Sequence, residues 1–279
     1  MQDIDWGEEQ IKQYYNEEYQ STNSLVAGKI QTPLEHFQDR VKTIQPVFEK
    51  VKPLLRPDSR VLDVGCGAGE LLSLIQPQVK YAAGTELHRP FVEFIKNHLK
   101  IDAYAEDINQ LHLDRQFDLV ISIVTLDHLV NPLATLLNIK RLLAPGGKIY
   151  LEVPNRDEAL NYFLPEVNRH KFNRFFWHRA HFFYFTKATL GALFQKAGLA
   201  TAISCRHEYT LKNYLNWYFR GEPQSSFTIG CQETDLLSGD SEFERRMNKL
   251  FAEMEPEFKS LMAETLRGDT LCCLGWVDS

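Results

Sequence analysis

The feature that most constrains the fold is a short apolar run that leads into three closely spaced glycines, Val61-Leu-Asp-Val-Gly-Cys-Gly-Ala-Gly-Glu70. The apolar run predicts a buried β-strand, and the residues after the glycines predict a helix. Glycine permits positive φ and a close approach of backbone to a ligand. We therefore predict a ligand-binding turn at the carboxyl end of a strand. A tight turn without a ligand is the alternative.

Strand and helix patterns alternate through the first half of the chain. Strands are predicted at Arg60–Val64, Tyr81–Glu86, Asp102–Ala105, Phe117–Val124 and Lys148–Val153. Helices are predicted at Leu71–Ile75, Phe91–Leu99 and Leu133–Leu143, the last ending at a turn, Pro145-Gly146-Gly147. This alternation predicts right-handed βαβ units and a mainly parallel sheet with helices on both faces. Such sheets bind ligands at the carboxyl ends of their strands.

The remaining segments are predicted to surround this sheet. Helices are expected at Ile11–Tyr19, Pro33–Lys50 and Lys187–Ala197, an irregular stretch at Asn155–Phe185, a strand at Leu199–Arg206, largely helical structure over Tyr209–Arg267, and a final strand at Asp269–Val277. We expect one domain over residues 1–279, with residues 1–50 as a helical lid. Residues 155–185 and 209–267 are expected to form a substrate cap.

Composition disfavours several classes of protein. The net charge of -6, without a large basic tract, argues against nucleic acid as a partner. Five cysteines without a C-x-x-C pair predict neither a disulfide framework nor a zinc site, and we predict no metal. No stretch approaches the roughly 20 apolar residues of a membrane span. The acidic start, Met1–Glu9, is unlike a signal peptide, so we expect a soluble, cytoplasmic protein.

The residue that follows the glycines favours one cofactor class over another. A dinucleotide fingerprint, G-x-G-x-x-G, would have glycine where this chain has Glu70. A carboxylate at the start of a helix repels a pyrophosphate and tolerates a cation. S-adenosylmethionine (SAM) carries a sulfonium and an ammonium and no phosphate, so the turn favours SAM over NAD. Glu86, at the end of the next predicted strand, can accept hydrogen bonds from both ribose hydroxyls.

Five segments, VLDVGCGAGE, GTE, AEDI, FDLVISIVTLDHLVNP and LLAPGGKIYLEVPN, together resemble the class I SAM-dependent methyltransferases. A later segment, His181-Phe-Phe-Tyr-Phe-Thr followed by ATLGALFQKAGL, resembles the bacterial small-molecule members of that group. The match of the five segments covers roughly Val61–Pro154, about a third of the chain. The resemblance implies a Rossmann-like α/β fold with a seven-stranded sheet, strand order 3-2-1-4-5-7-6, and an antiparallel seventh strand at Asp269–Val277. It also implies SAM as cofactor and S-adenosylhomocysteine as product.

The resemblance also implies a set of cofactor contacts. They are Asp63, Gly65, Cys66, Gly67, Gly69, Glu86, Leu87, Asp107, Ile108, Ile123 and Arg40. Asp107 would accept from the adenine amino group, with Leu87 or Ile108 on the ring. Asp63 would lie near the methionine end, or would only cap the turn. Arg40 would pair with the carboxylate of SAM in a lid that Tyr14 or Tyr15 would complete.

Three histidines are candidate general bases: His128, His178 and His181. A neutral imidazole can take a proton from an acceptor hydroxyl or amine. His128 could instead shape the methionine pocket. The candidate substrate contacts are Asp127, Arg174, Trp177 and Arg179. Arg174, Trp177 and Arg179 lie in a basic, aromatic stretch that could hold an anionic acceptor group. Alternatively, the aromatic residues could form the core of the cap and the charged residues its solvated surface.

We therefore predict a methyltransferase that acts on O, N or C of a small polar metabolite, such as a sugar, a sugar nucleotide or a natural-product intermediate. The acceptor carries an anionic group in one alternative, and the protein is a monomer or a homodimer. A protein or RNA methyltransferase, a non-catalytic SAM-binding regulator and a nicotinamide oxidoreductase are the rivals.

Overall fold

A computed structural model describes residues 25–26, 29–177 and 181–277. Seven strands form one mixed sheet: β1 (Arg60–Val64), β2 (Tyr81–Thr85), β3 (Asp102–Tyr104), β4 (Phe117–Ile123), β5 (Leu143–Pro154), β6 (Ala200–Arg206) and β7 (Thr270–Trp276). Their order across the sheet is 3-2-1-4-5-7-6, which confirms the predicted fold class. Two-residue strands at Leu25–Val26 and Lys29–Ile30 form a separate antiparallel ribbon.

The register of strands β1 to β4 determines which of the loops that follow them are neighbours. β1 runs parallel to β2 on one side and to β4 on the other, and β2 runs parallel to β3. Val64 lies beside Thr85, so the loops after β1 and β2 leave the sheet as neighbours. Val61, Leu62, Leu119 and Ile121 are fully buried, as expected of central parallel strands.

Eleven helices are described: α1 (Pro33–Arg40), α2 (Gln45–Val51), α3 (Glu70–Ile75), α4 (Arg89–Phe94), α5 (Pro132–Leu142), α6 (Leu160–Phe163), α7 (Glu166–Phe176), α8 (Lys187–Lys196), α9 (Leu211–Arg220), α10 (Phe227–Gln232) and α11 (Glu242–Glu264). Their starts follow the local sequence. Thr32 and Ser241 each form a capping box with a glutamate three residues later, and Asn131 and Thr210 cap α5 and α9. No helix among the described residues combines the length and apolar character that crossing a bilayer requires.

Three predictions about secondary structure were wrong. The single helix expected over Pro33–Lys50 is two helices, because Pro46 lacks an N–H and fits only the first turn of the second helix. The turn expected at Pro145-Gly146-Gly147 belongs to β5, which starts directly after α5. The irregular stretch expected at Asn155–Phe185 contains α6 and α7, since residues 166–176 hold neither glycine nor proline to stop a helix.

The chain divides into two compact units. The first comprises residues 1–151, 193–201 and 274–279, and the second comprises residues 152–192 and 202–273. A cluster of Leu160, Leu164, Phe172 and Trp217 forms a core within the second unit. The single domain with its lid and cap stays a prediction, and the helix expected at Ile11–Tyr19 lies outside the described residues.

Candidate functional site

The glycine turn after β1 is tied to the end of β2. The N–H groups of Gly65 and Cys66 both donate to the carbonyl oxygen of Thr85, at 2.8 and 3.0 Å. Gly65 has φ +75°, and a Cβ there would lie 2.3 Å from Oγ1 of Thr125. Both its conformation and its surroundings therefore require glycine.

Gly67, at the tip of the turn, has space on one side. Its φ is +56°, and the only described atom within 4 Å of an added Cβ would be Oε2 of Glu70, at 3.2 Å. The N–H of Gly67 donates to Oε2 of Glu86, at 3.1 Å. The tip of the turn is therefore a place where a ligand can approach the backbone, beside a carboxylate.

Glu86 follows β2 and links the two loops. Its Oε2 accepts from Gly67, and its Oε1 accepts from the N–H of His88 at 2.9 Å. Each oxygen holds a further lone pair that can accept a hydrogen bond. Burial raises the pKa of Glu86, and the bonds from His88 and Gly67 oppose that shift. The carboxylate is thus fixed in place by bonds within the chain itself.

Two more carboxylates lie in the same part of the first unit. Asp63 and Glu70 are 2% and 7% exposed. Burial, with the nearby charges of Glu70 and Glu86, raises the pKa of Asp63 to about 8. Burial also raises the pKa of Glu70 to about 7. Oδ1 of Asp63 has no hydrogen-bond partner within the described part of the chain. A group of buried acids with an unused oxygen fits a cationic ligand with N–H donors.

His36 on α1 completes this corner and was missed by the sequence analysis. Its Nε2 lies 3.4 Å from Oε1 of Glu70, and its ring contacts Phe91 at 4.8 Å between centroids. Burial and the charge of Arg40 lower the pKa of His36 to about 4, so its ring is neutral near pH 7. Arg40 is exposed at the end of α1. His36 does not fall among the apolar positions Leu34, Phe37 and Val41 of the helix pattern, so no local signal indicated its place in the site.

Cys66 and Gly69 pack the glycine turn against neighbouring residues of the first unit. The buried thiol of Cys66 lies where a Cβ on Gly84 would stand, at 2.4 Å, and burial raises its pKa. A Cβ on Gly69 would lie 2.8 and 2.9 Å from Leu99 and Ile95. Both residues thus have a packing role within the protein, and their predicted contact with a cofactor stays a prediction.

The loop after β3 holds the predicted adenine contacts. Oδ1 of Asp107 accepts from the N–H of Asn109 at 2.7 Å, which uses one carboxylate oxygen to close the turn. Asn109 in turn accepts from Asn138 on α5 at 2.9 Å. Ile108 is buried, and Leu87, which follows β2, is half-buried. The loop is anchored, and the adenine contact stays a prediction.

The end of β4 carries a strained residue followed by Asp127 and His128. Val124 has φ +47°, a region that β-branched residues rarely adopt, and is 40% exposed. Asp127 and His128 are buried, with Nε2 of His128 3.5 Å from Oδ2 of Asp127. Burial raises the pKa of Asp127 to about 8. Ile123 is half-buried just before the strained residue.

The other candidates belong to the second unit. Arg174 is exposed on α7. Trp177 is half-buried, with its ring 4.5 Å from Tyr184 and 5.0 Å from Phe176, measured between centroids. Nδ1 of His181 lies 3.1 Å from Oη of Tyr184. These contacts favour the alternative in which the aromatic residues form a core. His178, Arg179, Tyr14 and Tyr15 lie outside the described residues.

The stability of the ligand-free protein is expected to fall as pH rises from about 5 to about 8. Asp63 and Glu70 have folded-state pKa values of about 8 and about 7, above the ordinary values of 3.8 and 4.5. The folded state therefore keeps protons that the unfolded chain releases, and this stabilisation is lost as pH rises through the folded-state values. Asp63→Asn should flatten the dependence, measured by urea unfolding at several pH values.

The matched control is Asp58→Asn, which changes a carboxylate that is 79% exposed. It should leave the pH dependence of the free energy of unfolding as it is in the natural chain. Equal slopes for Asp63→Asn and the natural chain would contradict the prediction.

This strand order, with a glycine turn and a carboxylate at the ends of β1 and β2, defines the class I SAM-dependent methyltransferase fold. The family described as "Methyltransferase domain" matches residues 34–202, more than half of the chain. The chain belongs to this family. At the level of the family, this confirms the predicted resemblance, the enzyme class and SAM as cofactor.

A curated relative agrees with this assignment, and solved structures agree with the fold alone. A ubiquinone biosynthesis O-methyltransferase of Coxiella burnetii is 32% identical over 103 residues, which are 35% of this chain and 44% of that protein. The chain thus spans less than half the length of the curated relative it matches. A possible histamine N-methyltransferase of Thermotoga maritima has TM-score 0.55 at 15% identity, over 88% of this chain and 96% of that one. A magnesium protoporphyrin IX methyltransferase of Synechocystis, solved with bound S-adenosylhomocysteine, has TM-score 0.51 at 16% identity, over 70% and 91%.

Proposed function

We propose that this protein transfers a methyl group from SAM to a small-molecule acceptor. The observation that carries the proposal is the fixed carboxylate of Glu86 beside the uncrowded tip of the turn at Gly67. The relatives that act in ubiquinone biosynthesis support a hydroxyl oxygen as the methylated atom. The matched part covers only 35% of this chain, so the class of acceptor is proposed and does not follow from that relative alone.

Each part of the site has a proposed role toward SAM. Glu86 would accept from the two ribose hydroxyls through the lone pairs left on its oxygens. Asp63 and Glu70 would face the cationic methionine end, where an ammonium supplies the N–H donors that Oδ1 of Asp63 lacks. Asp107 with Ile108 would contact adenine. When bound, SAM supplies an electrophilic methyl group on a sulfonium.

Three further side chains are proposed to contact the cofactor. Leu87 and Ile123 are half-buried beside the loops that would receive the cofactor, and they would pack on its apolar parts. Arg40 would pair with its carboxylate. The charge of Arg40 lowers the pKa of Glu70, which supports a position near the methionine end.

A nicotinamide cofactor is disfavoured by the same geometry. Glu70 is the first residue of α3, is 7% exposed, and occupies the helix start where a pyrophosphate would need bare N–H groups. Its carboxylate would repel the phosphates, whereas a sulfonium or ammonium is attracted to it.

Calorimetric titration of the purified protein with SAM, S-adenosylhomocysteine and NADH tests the proposed function. We expect micromolar binding of the first two and none of NADH. Gly67→Arg should abolish binding by filling the space at the tip of the turn. The control is Gly146→Arg, a glycine with φ +73° and no described atom within 4 Å of an added Cβ, which should bind normally. Binding of NADH alone would overturn the proposal.

His128 is proposed to act as the general base toward an acceptor hydroxyl, with Asp127 orienting its ring. The separation of 3.5 Å between Nε2 and Oδ2 is longer than a hydrogen bond, and such contacts often tighten only when substrates bind. His178 and His181 are the alternative bases. Holding the acceptor in line with the methyl supplies much of the rate in any case.

Replacing His128 by glutamine is expected to lower kcat by about 10²- to 10⁴-fold while leaving SAM affinity unchanged, since a general base contributes about that factor. The remaining rate should rise with pH into the alkaline range, because hydroxide in solution would then deprotonate the acceptor. An unchanged kcat and pH profile would assign His128 to shaping the pocket. His112→Gln, at an exposed surface histidine, is the matched control.

Arg174, Trp177 and Arg179 are proposed acceptor contacts, with an anionic group on the acceptor as the property they would recognise. An exposed guanidinium such as that of Arg174 can hold a carboxylate or phosphate bidentately. Arg174→Ala and Arg179→Ala, measured by the KM for the acceptor, test this. An unchanged KM would remove the anionic acceptor and leave a neutral polar metabolite.

A further inference from the structure

Helix α11 has one face anchored to the second unit and a separate apolar face that is exposed in the described part of the chain. Asn248, Glu255, Phe258 and Met262 face the rest of the second unit. Asn248 bonds the N–H of Leu237, Glu255 bonds the N–H of Leu211, and the ring of Phe258 lies 5.2 Å from that of His207. Met262 is buried. This face anchors the helix.

The second face consists of Phe243, Leu250, Met254 and Leu261. Their exposed fractions are 67%, 50%, 47% and 55%. In a regular helix of about 100° per residue these four side chains lie within about 40° of one another, and roughly 100° from the anchoring face. Pro256 lies inside the helix, between Met254 and Leu261, where it removes one backbone hydrogen bond. The stripe extends over roughly 27 Å of helix. A continuous exposed stripe of this kind marks an interaction surface.

The spacing of the stripe is self-complementary. Phe243 and Leu261 are each nine positions from Ala252, and Leu250 and Met254 are each two positions from it. A two-fold axis at the level of Ala252 would therefore place Phe243 against Leu261 and Leu250 against Met254 of an antiparallel copy. Self-complementarity of this kind is the requirement for an isologous dimer interface.

The distribution of charged residues along α11 also favours antiparallel pairing. Residues 242–252 hold three basic and two acidic side chains, whereas residues 253–264 hold four acidic and one basic. Antiparallel pairing places the basic half of one helix beside the acidic half of the other. Arg246 would lie nearly level with Glu257 of the second copy, on the same edge of the stripe. Parallel pairing would bring like charges together.

We propose that α11 pairs with α11 of a second copy of this chain, antiparallel, about a two-fold axis at Ala252. A single helix pair buries less area than a standard interface, so the dimer is weak and exchanges with monomer at micromolar concentrations. An amphipathic stripe can also bind an anionic membrane surface, but the net negative charge of α11 would be repelled by such a surface.

Sedimentation equilibrium over a range of protein concentrations tests the proposal. We expect a monomer–dimer equilibrium, with a dissociation constant raised at least tenfold by Leu250→Glu or by Met254→Lys. Circular dichroism should show both variants folded, since both side chains are about half exposed. Val167→Glu, at a residue 71% exposed on α7, is the control and should leave the equilibrium unchanged.

Mixing the two variants separates this arrangement from every other. In an antiparallel heterodimer, the glutamate introduced by Leu250→Glu in one chain would face the lysine introduced by Met254→Lys in the other. The second contact would remain the natural pair, Leu250 on Met254. The equimolar mixture should therefore dimerise more tightly than either variant alone. Dimers without recovery on mixing, or a natural chain that stays monomeric at several hundred micromolar, would overturn the proposal.

Discussion

Replacing Glu86 by glutamine is expected to weaken SAM binding by about a hundredfold or more. The side chain would lose the charge that strengthens its bonds to two ribose hydroxyls, and hydrogen bonds to a charged group contribute about 1.5–3 kcal/mol each. The amide would also turn an N–H₂ toward one of two donors, Gly67 or His88, which now bond the two carboxylate oxygens. The loop would then lose part of its anchoring. Calorimetric titration with SAM measures the change.

The matched control is Glu106→Gln, which makes the same chemical change at an exposed residue of the loop after β3. Its SAM affinity should match that of the natural chain. If Glu86→Gln bound SAM within threefold of the natural chain, Glu86 would be a structural anchor of the turn, without a role toward ribose.

Replacing Arg206 by methionine is expected to lower the free energy of unfolding by about 3–5 kcal/mol, because it leaves a buried charge without its partner. The guanidinium bonds Oε2 of Glu152 at 2.5 Å and Oε1 of Glu208 at 2.5 Å. The side chain of Glu152 is 0% exposed, so water cannot replace the lost partner. Urea unfolding followed by circular dichroism measures the loss, which is a large fraction of ordinary domain stability.

A second variant distinguishes loss of the ion pair from loss of packing. Glu152→Gln combined with Arg206→Met removes the orphaned charge and should recover more than half of the lost free energy. Arg220→Met, which removes an exposed guanidinium that contacts Glu222, should cost less than about 1 kcal/mol. A double variant no more stable than Arg206→Met alone would contradict the account.

The sequence predicted the parts of this molecule that depend on neighbouring residues. The apolar run at Val61–Val64, the glycines after it and the alternation of strands with helices are all local patterns, and they predicted a mainly parallel sheet. The order of its strands, which the structure has, was implied by the resemblance to the class I methyltransferases. Glu86 could be placed because its position at the end of a parallel strand follows from that topology.

Local sequence patterns did not predict contacts between residues that are far apart in the chain. Glu152 on β5 and Arg206 on β6 meet across β7, where Cys272 contacts the same carboxyl group at 3.7 Å. No spacing in the sequence joins these residues. His36 on α1 meets Glu70 of the glycine motif, although no spacing in the sequence relates the two residues. Pro46 lies in the first turn of α2, where the helices separate, although the apolar spacing continues across both of them.

The bonds that join the loops after β1 and β2 have a consequence for the thermodynamics of ligand binding. The N–H groups of Gly65, Cys66 and Gly67 are bonded to Thr85 and Glu86, which belong to the chain itself, so these bonds do not require a ligand. The turn therefore loses little conformational entropy when a ligand binds, and a larger share of the interaction energy appears as binding affinity. The amide protons of this turn should accordingly exchange slowly with solvent deuterium even before SAM is added.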